Sequence, residues 1–134
     1  DFYLEFSEGR VINYGAKEGL TTLKGILSTD DGSKYLGEVA LVDNASTIAK
    51  MNFLFKNTLL DENSSCHLAL GDGFMECRKN GHSMSKEELY KSVNHSINHV
   101  DFFIGTNDLN ITATLRNKKE IIIMENGLFK GEMK

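Results

Sequence analysis

Glu120-Ile121-Ile122-Ile123-Met124-Glu125-Asn126-Gly127-Leu128-Phe129 is the stretch on which the fold class turns. A β-branched run closes on Asn-Gly, the dipeptide suited to the left-handed conformations of a two-residue hairpin turn, and apolar residues resume beyond it. The segment reads as strand, turn, strand. Just upstream, Leu109 to Leu115 is a further β-prone segment, and Asn117-Lys118 supplies its turn into Glu120. Successive antiparallel strands are the expectation for the whole of this end of the chain.

At the other end, Phe2 to Glu8 and Val11 to Ala16 predict a second hairpin, turning at Gly9-Arg10. Leu20, Leu23 and Leu27 recur at helical spacing and predict a short amphipathic helix from Glu18 to Leu27. Asp30-Asp31-Gly32 is a turn signal, after which a second short helix leads towards Gly37. Glu38 to Val42 reads as a buried strand with one carboxylate at its start. Phe53 to Leu60 is apolar enough for another strand or the beginning of a helix. Leu68-Ala69-Leu70 precedes the loop Gly71-Asp72-Gly73, and Val100 to Ile104 is a short strand with Asp101 embedded in it. The clearest helix runs from Ser85 to Val93, because Ser85 and Glu88 have capping-box spacing. Strands outweigh helices. The expectation is an α+β fold, a strand-rich mixed or antiparallel curved sheet with a few short helices, in which residues 1–134 form a single domain.

Composition narrows the function classes. Of 134 residues, 40% are apolar and 25% charged, the balance of an ordinary globular domain. No apolar run is long enough for a membrane-spanning helix. The formal charge of −4, with Lys118-Lys119 near Arg116 as its one basic cluster, argues against nucleic acid as a partner. Cys66 and Cys77 are too few for a disulfide framework and too far apart for a C-x-x-C pair, so reduced thiols in a cytoplasmic protein are expected. The opening Asp1-Phe2-Tyr3-Leu4 reads like strand interior. It points to a piece of a longer polypeptide.

Chemistry is expected where charge interrupts an apolar pattern, because an unpartnered buried carboxylate is costly. Glu38, Glu62, His67, His99 and Asp101 are the anomalies. Alternation on a strand puts His99 and Asp101 on one face, with Val100 on the other. Glu62 and His67 converge only if Asn63-Ser64-Ser65 turns between them. Two imidazoles and three carboxylates suit two adjacent divalent ions of the zinc, manganese or cobalt type. His82, in a Gly/Ser loop, and His95, in a polar run, are read as bystanders, and Cys66 as an inert thiol.

Long blocks of the chain then resemble a known family. Gly37 to Val42, Phe55 to Gly71 and Asn94 to Gly105 are similar to the bacterial metallo-aminopeptidases called aminopeptidase T, aminopeptidase S and PepS, as are Phe6 to Val11 and Glu125 to Phe129. The resemblance implies a two-metal exopeptidase acting on the N-terminal residue of peptides, with Zn, Co, Mn or Mg as the metal. Glu38 falls on the family's bridging or catalytic glutamate, and Glu62, His67, His99 and Asp101 on its other ligands. It also implies a further ligand glutamate upstream, so that the chain is the C-terminal, metal-binding catalytic portion of a longer aminopeptidase, homodimeric at full length. Phe74 falls at the family's catalytic tyrosine, where a phenol would be expected. Three readings are therefore open: an active aminopeptidase portion, a metal-binding but impaired homologue, and a purely structural β-rich domain.

Overall fold

In a computed structural model of the chain, which describes residues 1–131, the elements run in the order β1 (Phe2–Ser7), β2 (Arg10–Ala16), α1 (Leu20–Leu27), β3 (Leu36–Ala40), α2 (Thr47–Met51), α3 (Thr58–Asp61), β4 (His67–Gly71), α4 (Lys86–Leu89), β5 (His99–Phe103), β6 (Ile111–Thr114), β7 (Glu120–Glu125) and β8 (Leu128–Phe129). The α+β class holds, with antiparallel pairing of β1 with β2 and of β7 with both β6 and β8. The strands are divided among three sheets, of order β1-β2, β3-β4-β5 and β6-β7-β8. Among the described residues no helix is long and apolar enough to cross a membrane.

The chain divides into two compact units. The first, Asp1–Val39 with Leu68–Phe102, holds the β1-β2 hairpin, α1, α4 and most of the β3-β4-β5 sheet. Its hairpin turns one residue earlier than the sequence suggests. Ser7 pairs with Arg10, and Glu8 and Gly9 form the turn at φ 50° and 78°. Positive φ at both positions matches the twist of the flanking strands, which is why the turn settles on Glu8-Gly9. The core lies where α1 and the hairpin meet the sheet: Val11, Leu27 and Leu70 are buried, with Leu4, Phe6, Leu23, Ile26 and Phe102 packed against them. Of the three leucines that predicted the inward face of α1, Leu23 and Leu27 join the core, whereas Leu20, in the first turn, is exposed.

Two predicted elements of this unit are shorter or more open. The strand expected over residues 38–42 is β3, which ends at Ala40. It is not fully buried, since Val39 is 65% exposed. As the outer strand of its sheet, β3 is covered less than β4, where Ala69, Leu70 and Gly71 are all buried. The helix expected to Val93 keeps only α4, although the Ser85–Glu88 capping box is present in both directions. Beyond Leu89 the amides of Lys91 and Ser92 reach back only three residues, to Glu88 and Leu89, which tightens the chain out of α geometry.

The second unit, residues 40–67 and those from 103 onward, carries α2, α3 and the β6-β7-β8 sheet. Asn126 and Gly127, both at positive φ, make the predicted β7–β8 turn. Cys66 and Met124 are the buried pair here, sulfur to sulfur 3.8 Å. The apolar run over residues 53–60 is neither strand nor continuous helix. The Asp61 carboxylate accepts the amides of Phe55 (2.8 Å) and Asn57 (3.0 Å), so a side chain takes the bonds a ladder would use, and only α3 is regular. Phe53, Leu54 and Leu59 are exposed.

Candidate metal centre

Leu70 and Phe102 share the core of the first unit, so alternation turns Ala69, His99 and Asp101 to the opposite face of the sheet. β4 lies between β3 and β5. There, His99 Nε2 stands 3.3 Å from Glu38 Oε2 and 3.3 Å from Asp101 Oδ1. All three side chains are mostly covered, and their ligand atoms lie within 4.8 Å of one another.

The second nitrogen of His99 fixes how the first is used. Nδ1 lies 2.7 Å from the backbone oxygen of Asp72. A carbonyl can only accept, so Nδ1 carries a proton and donates it, and Nε2 is the atom turned to the two carboxylates. Asp101 Oδ1 is buried and accepts no hydrogen bond within the described residues. Two carboxylates and an oriented imidazole nitrogen, one oxygen being unsatisfied, suit a divalent cation, which balances both negative charges.

In the second unit, the turn on which convergence depended is present. Glu62–Ser64 is a 3-10 turn, and it brings ligand atoms of Glu62 and His67 within 4.8 Å of each other. His67 is buried, and its Nδ1 donates to the Ser65 carbonyl at 2.9 Å, so Nε2 is the nitrogen that could ligate a metal ion. Phe103 meets its ring edge-on, 6.4 Å between centroids. Both histidines thus have the same arrangement, Nδ1–H on a backbone carbonyl and Nε2 for chemistry.

A sequence model of the thermophilic metalloprotease (M29) family matches residues 1–129. The chain belongs to that family. Aminopeptidase 2 of Geobacillus stearothermophilus is 47% identical to it over 133 residues, covering 98% of this chain and 32% of that relative. Aminopeptidase T of Thermus aquaticus is 34% identical over 125 residues, covering 93% of this chain and 30% of the relative. Among solved structures, wild-type AmpT from Thermus thermophilus superposes with a TM-score of 0.78 at 29% identity, covering 96% of this chain and 31% of the neighbour. The chain therefore spans about a third of the length of these relatives.

Within this M29 chain, Phe74 packs on His99 with ring centroids 4.9 Å apart. Cys66 is buried, its sulfur accepting the Val42 amide at 3.1 Å and donating to the Val42 carbonyl, whereas Cys77 is exposed. His82 is a surface residue 4.0 Å from Glu76. His95 is more engaged than its polar surroundings suggest: its ring stacks on Tyr90 at 4.0 Å, and Nδ1 donates to Asp72 at 3.0 Å. Two residues escaped the sequence reading. Asp72 acts through its main chain, which no side-chain pattern reveals. Asp30 binds a cluster of donors, and the Asp30/Ser33 spacing, an acceptor side chain three residues ahead of the amide it bonds as in helix capping, was the available signal.

Proposed function

We propose that this chain is the C-terminal, metal-binding portion of an aminopeptidase that releases the N-terminal residue of peptides. The observation that carries the reading is His99 Nε2, held 3.3 Å from both Glu38 and Asp101, in a chain of a metalloprotease family. The names of the relatives supply the reaction. Glu38, Glu62, His67, His99 and Asp101 are the proposed ligands of two divalent ions, drawn from Zn, Co, Mn or Mg. When bound, such ions supply Lewis acidity and make a water acidic enough to attack near neutral pH. Glu38 serves as ligand or as the general base that takes the proton of the attacking water. His99 and His67 contribute neutral nitrogens whose orientation is set by the carbonyls of Asp72 and Ser65. The complete protein is proposed as a cytoplasmic homodimer, with peptides as its substrates.

One observation favours a second reading. The Phe74 ring occupies the neighbourhood of His99 and has no hydroxyl to donate to a tetrahedral intermediate, so the site would bind metal while turning over slowly. Metal content and hydrolysis of an aminoacyl p-nitroanilide by the full-length protein, with and without a chelator, test both. Metal-dependent release of p-nitroaniline is expected. Stoichiometric metal with negligible release would favour the impaired homologue, and the absence of bound metal would overturn both.

A further inference from the structure

The most heavily bonded carboxylate of the first unit is not one of the proposed ligands. Asp30 sits ahead of the 3-10 turn Gly32–Lys34 and accepts from four donors. Its Oδ1 takes the Ser33 amide, the Ser33 hydroxyl and the Ser96 hydroxyl, each at 2.8 Å, and its Oδ2 takes the Ile97 amide at 2.8 Å. Ser33 and Ser96 are buried. Asn98 joins the same cluster: its Nδ2 donates to Ser33 Oγ at 3.2 Å and to the Ile26 carbonyl at 2.9 Å, while its amide donates to Ser96 Oγ at 3.0 Å. Every residue from Ser96 to Asn98 is therefore tied, directly or through one hydroxyl, to Asp30. The next residue is His99.

The cluster also reaches His99 by a second path. The Asn98 carbonyl accepts the Asp72 amide at 2.6 Å, and the Ser96 amide donates to Asp72 Oδ1 at 2.9 Å. Asp72 is thus held at both its main chain and its side chain by the loop that Asp30 anchors, and it is the Asp72 carbonyl that receives the His99 Nδ1 proton. The approach is close. Gly71 has φ 102°, and a Cβ there would collide with the Asn98 carbonyl oxygen. A Cβ on Gly32 would likewise strike the His95 carbonyl oxygen.

We propose that Asp30 is a positioning residue for His99, locking the 96–98 loop so that the Asp72 carbonyl holds the imidazole with Nδ1–H inward and Nε2 towards Glu38 and Asp101. The inference rests on the proposed function only in taking His99 as a metal ligand. Four donors converge on the Asp30 carboxylate, so an acceptor-only group is required. An asparagine would turn NH₂ protons against either the Ile97 amide or the Ser33 amide, neither of which can accept. Once the loop slackens, the Asp72 carbonyl no longer selects Nδ1–H. The imidazole can then place its proton on Nε2, where it blocks ligation.

The test uses full-length protein labelled with ¹⁵N-histidine, as wild type, Asp30→Asn and Ser33→Ala. The His99 resonance is assigned by its loss in His99→Gln. Three quantities are read: the hydrogen-bonded His99 Nδ1–H signal without metal, zinc affinity by chelator competition, and thermal stability. In folded Asp30→Asn the Nδ1–H signal should disappear and zinc affinity fall about tenfold to a hundredfold. Ser33→Ala, which keeps the Ser96 and Ile97 bonds, should change affinity less than about threefold. A folded Asp30→Asn that is less stable but keeps the Nδ1–H signal and zinc affinity has a merely structural residue there, and the proposal falls. If Asp30→Asn does not fold, Ser96→Ala decides the matter by the same signal and affinity. Should wild type bind no zinc while the variant still loses the Nδ1–H signal, the aminopeptidase reading fails and the positioning role stands.

Discussion

His99 and Asp101 show how much chemistry two positions of one strand can carry. The i, i+2 spacing puts both on one face, and their 3.3 Å approach follows once Glu38 is brought in from β3. Because Asp101 Oδ1 is buried without a hydrogen-bond donor among the described residues, its charge is better matched by a cation than by its surroundings. Asp101→Asn keeps the shape and removes the charge, so zinc affinity of the full-length protein should fall at least about tenfold, measured by chelator competition. Equal affinity in variant and parent would remove Asp101 from the ligand set. The cysteines give an independent check on the packing. In native protein Cys77 should react readily with a thiol reagent while Cys66 stays protected until denaturant is added, because Cys66 is buried beside Met124. At this scale the sequence reveals side chains well and main chain poorly. It pointed to His67 and His99, but not to the Ser65 and Asp72 carbonyls that orient them.

Elements are where local signals meet competition. The Asn126-Gly127 turn was legible because turn chemistry decides it, and the Leu23/Leu27 part of the α1 face because periodicity and burial agree there; Leu20, at the helix start, stays exposed. Residues 53–57 were not, because Asp61 captures their amides from a distance that periodicity does not measure. The β1–β2 turn offers a clean test of backbone preference. Gly9 has φ 78° with open space around its α-carbon, so Gly9→Ala should destabilise by about 1 kcal/mol through the left-handed conformation alone. Denaturant midpoints would show it, and an unchanged midpoint would mean that the turn is not held in that conformation. The loop over residues 96–98 makes a pH prediction. The Ile97 amide, with the Ser33 and Ser96 hydroxyls and the Ser33 amide, holds Asp30 well below the ordinary carboxylate value of 3.8. In the window between the folded and unfolded values the unfolded chain binds more protons, so stability rises with pH there. The contribution is complete above the ordinary value and is lost as pH falls through the folded one. The stability gap between wild type and Asp30→Asn should therefore be constant at neutral and mildly acidic pH and narrow as pH falls below the ordinary value of 3.8, and a gap that widens on acidification would contradict the assignment.

For the whole molecule, foldability and catalysis make different demands. The first unit has its own apolar core in Val11, Leu27 and Leu70, and the second buries Cys66 with Met124, so the 134 residues should fold without further chain. Catalysis asks for more. The chain covers 32% of Aminopeptidase 2, and the family resemblance expects one ligand glutamate in the remainder. The isolated chain should accordingly show a cooperative unfolding transition and no hydrolysis of an aminoacyl p-nitroanilide, whereas the full-length protein should hydrolyse it in a metal-dependent manner. Position 74 then decides how fast. Its ring already lies 4.9 Å from that of His99 and is 47% exposed, so a hydroxyl added to it would extend the ring without having to be buried unpaired. A donor aimed at a developing oxyanion is worth about a hundredfold or more when it is one of few. Full-length Phe74→Tyr should therefore raise kcat by about tenfold or more, with KM and zinc affinity little changed, since the phenol acts on the transition state rather than on binding. Steady-state kinetics on wild type and variant read this directly. A Tyr variant no faster than its parent would mean that oxyanion stabilisation comes from another group, and an isolated chain as active as the full-length protein would mean that the ligand set within these 134 residues is already sufficient.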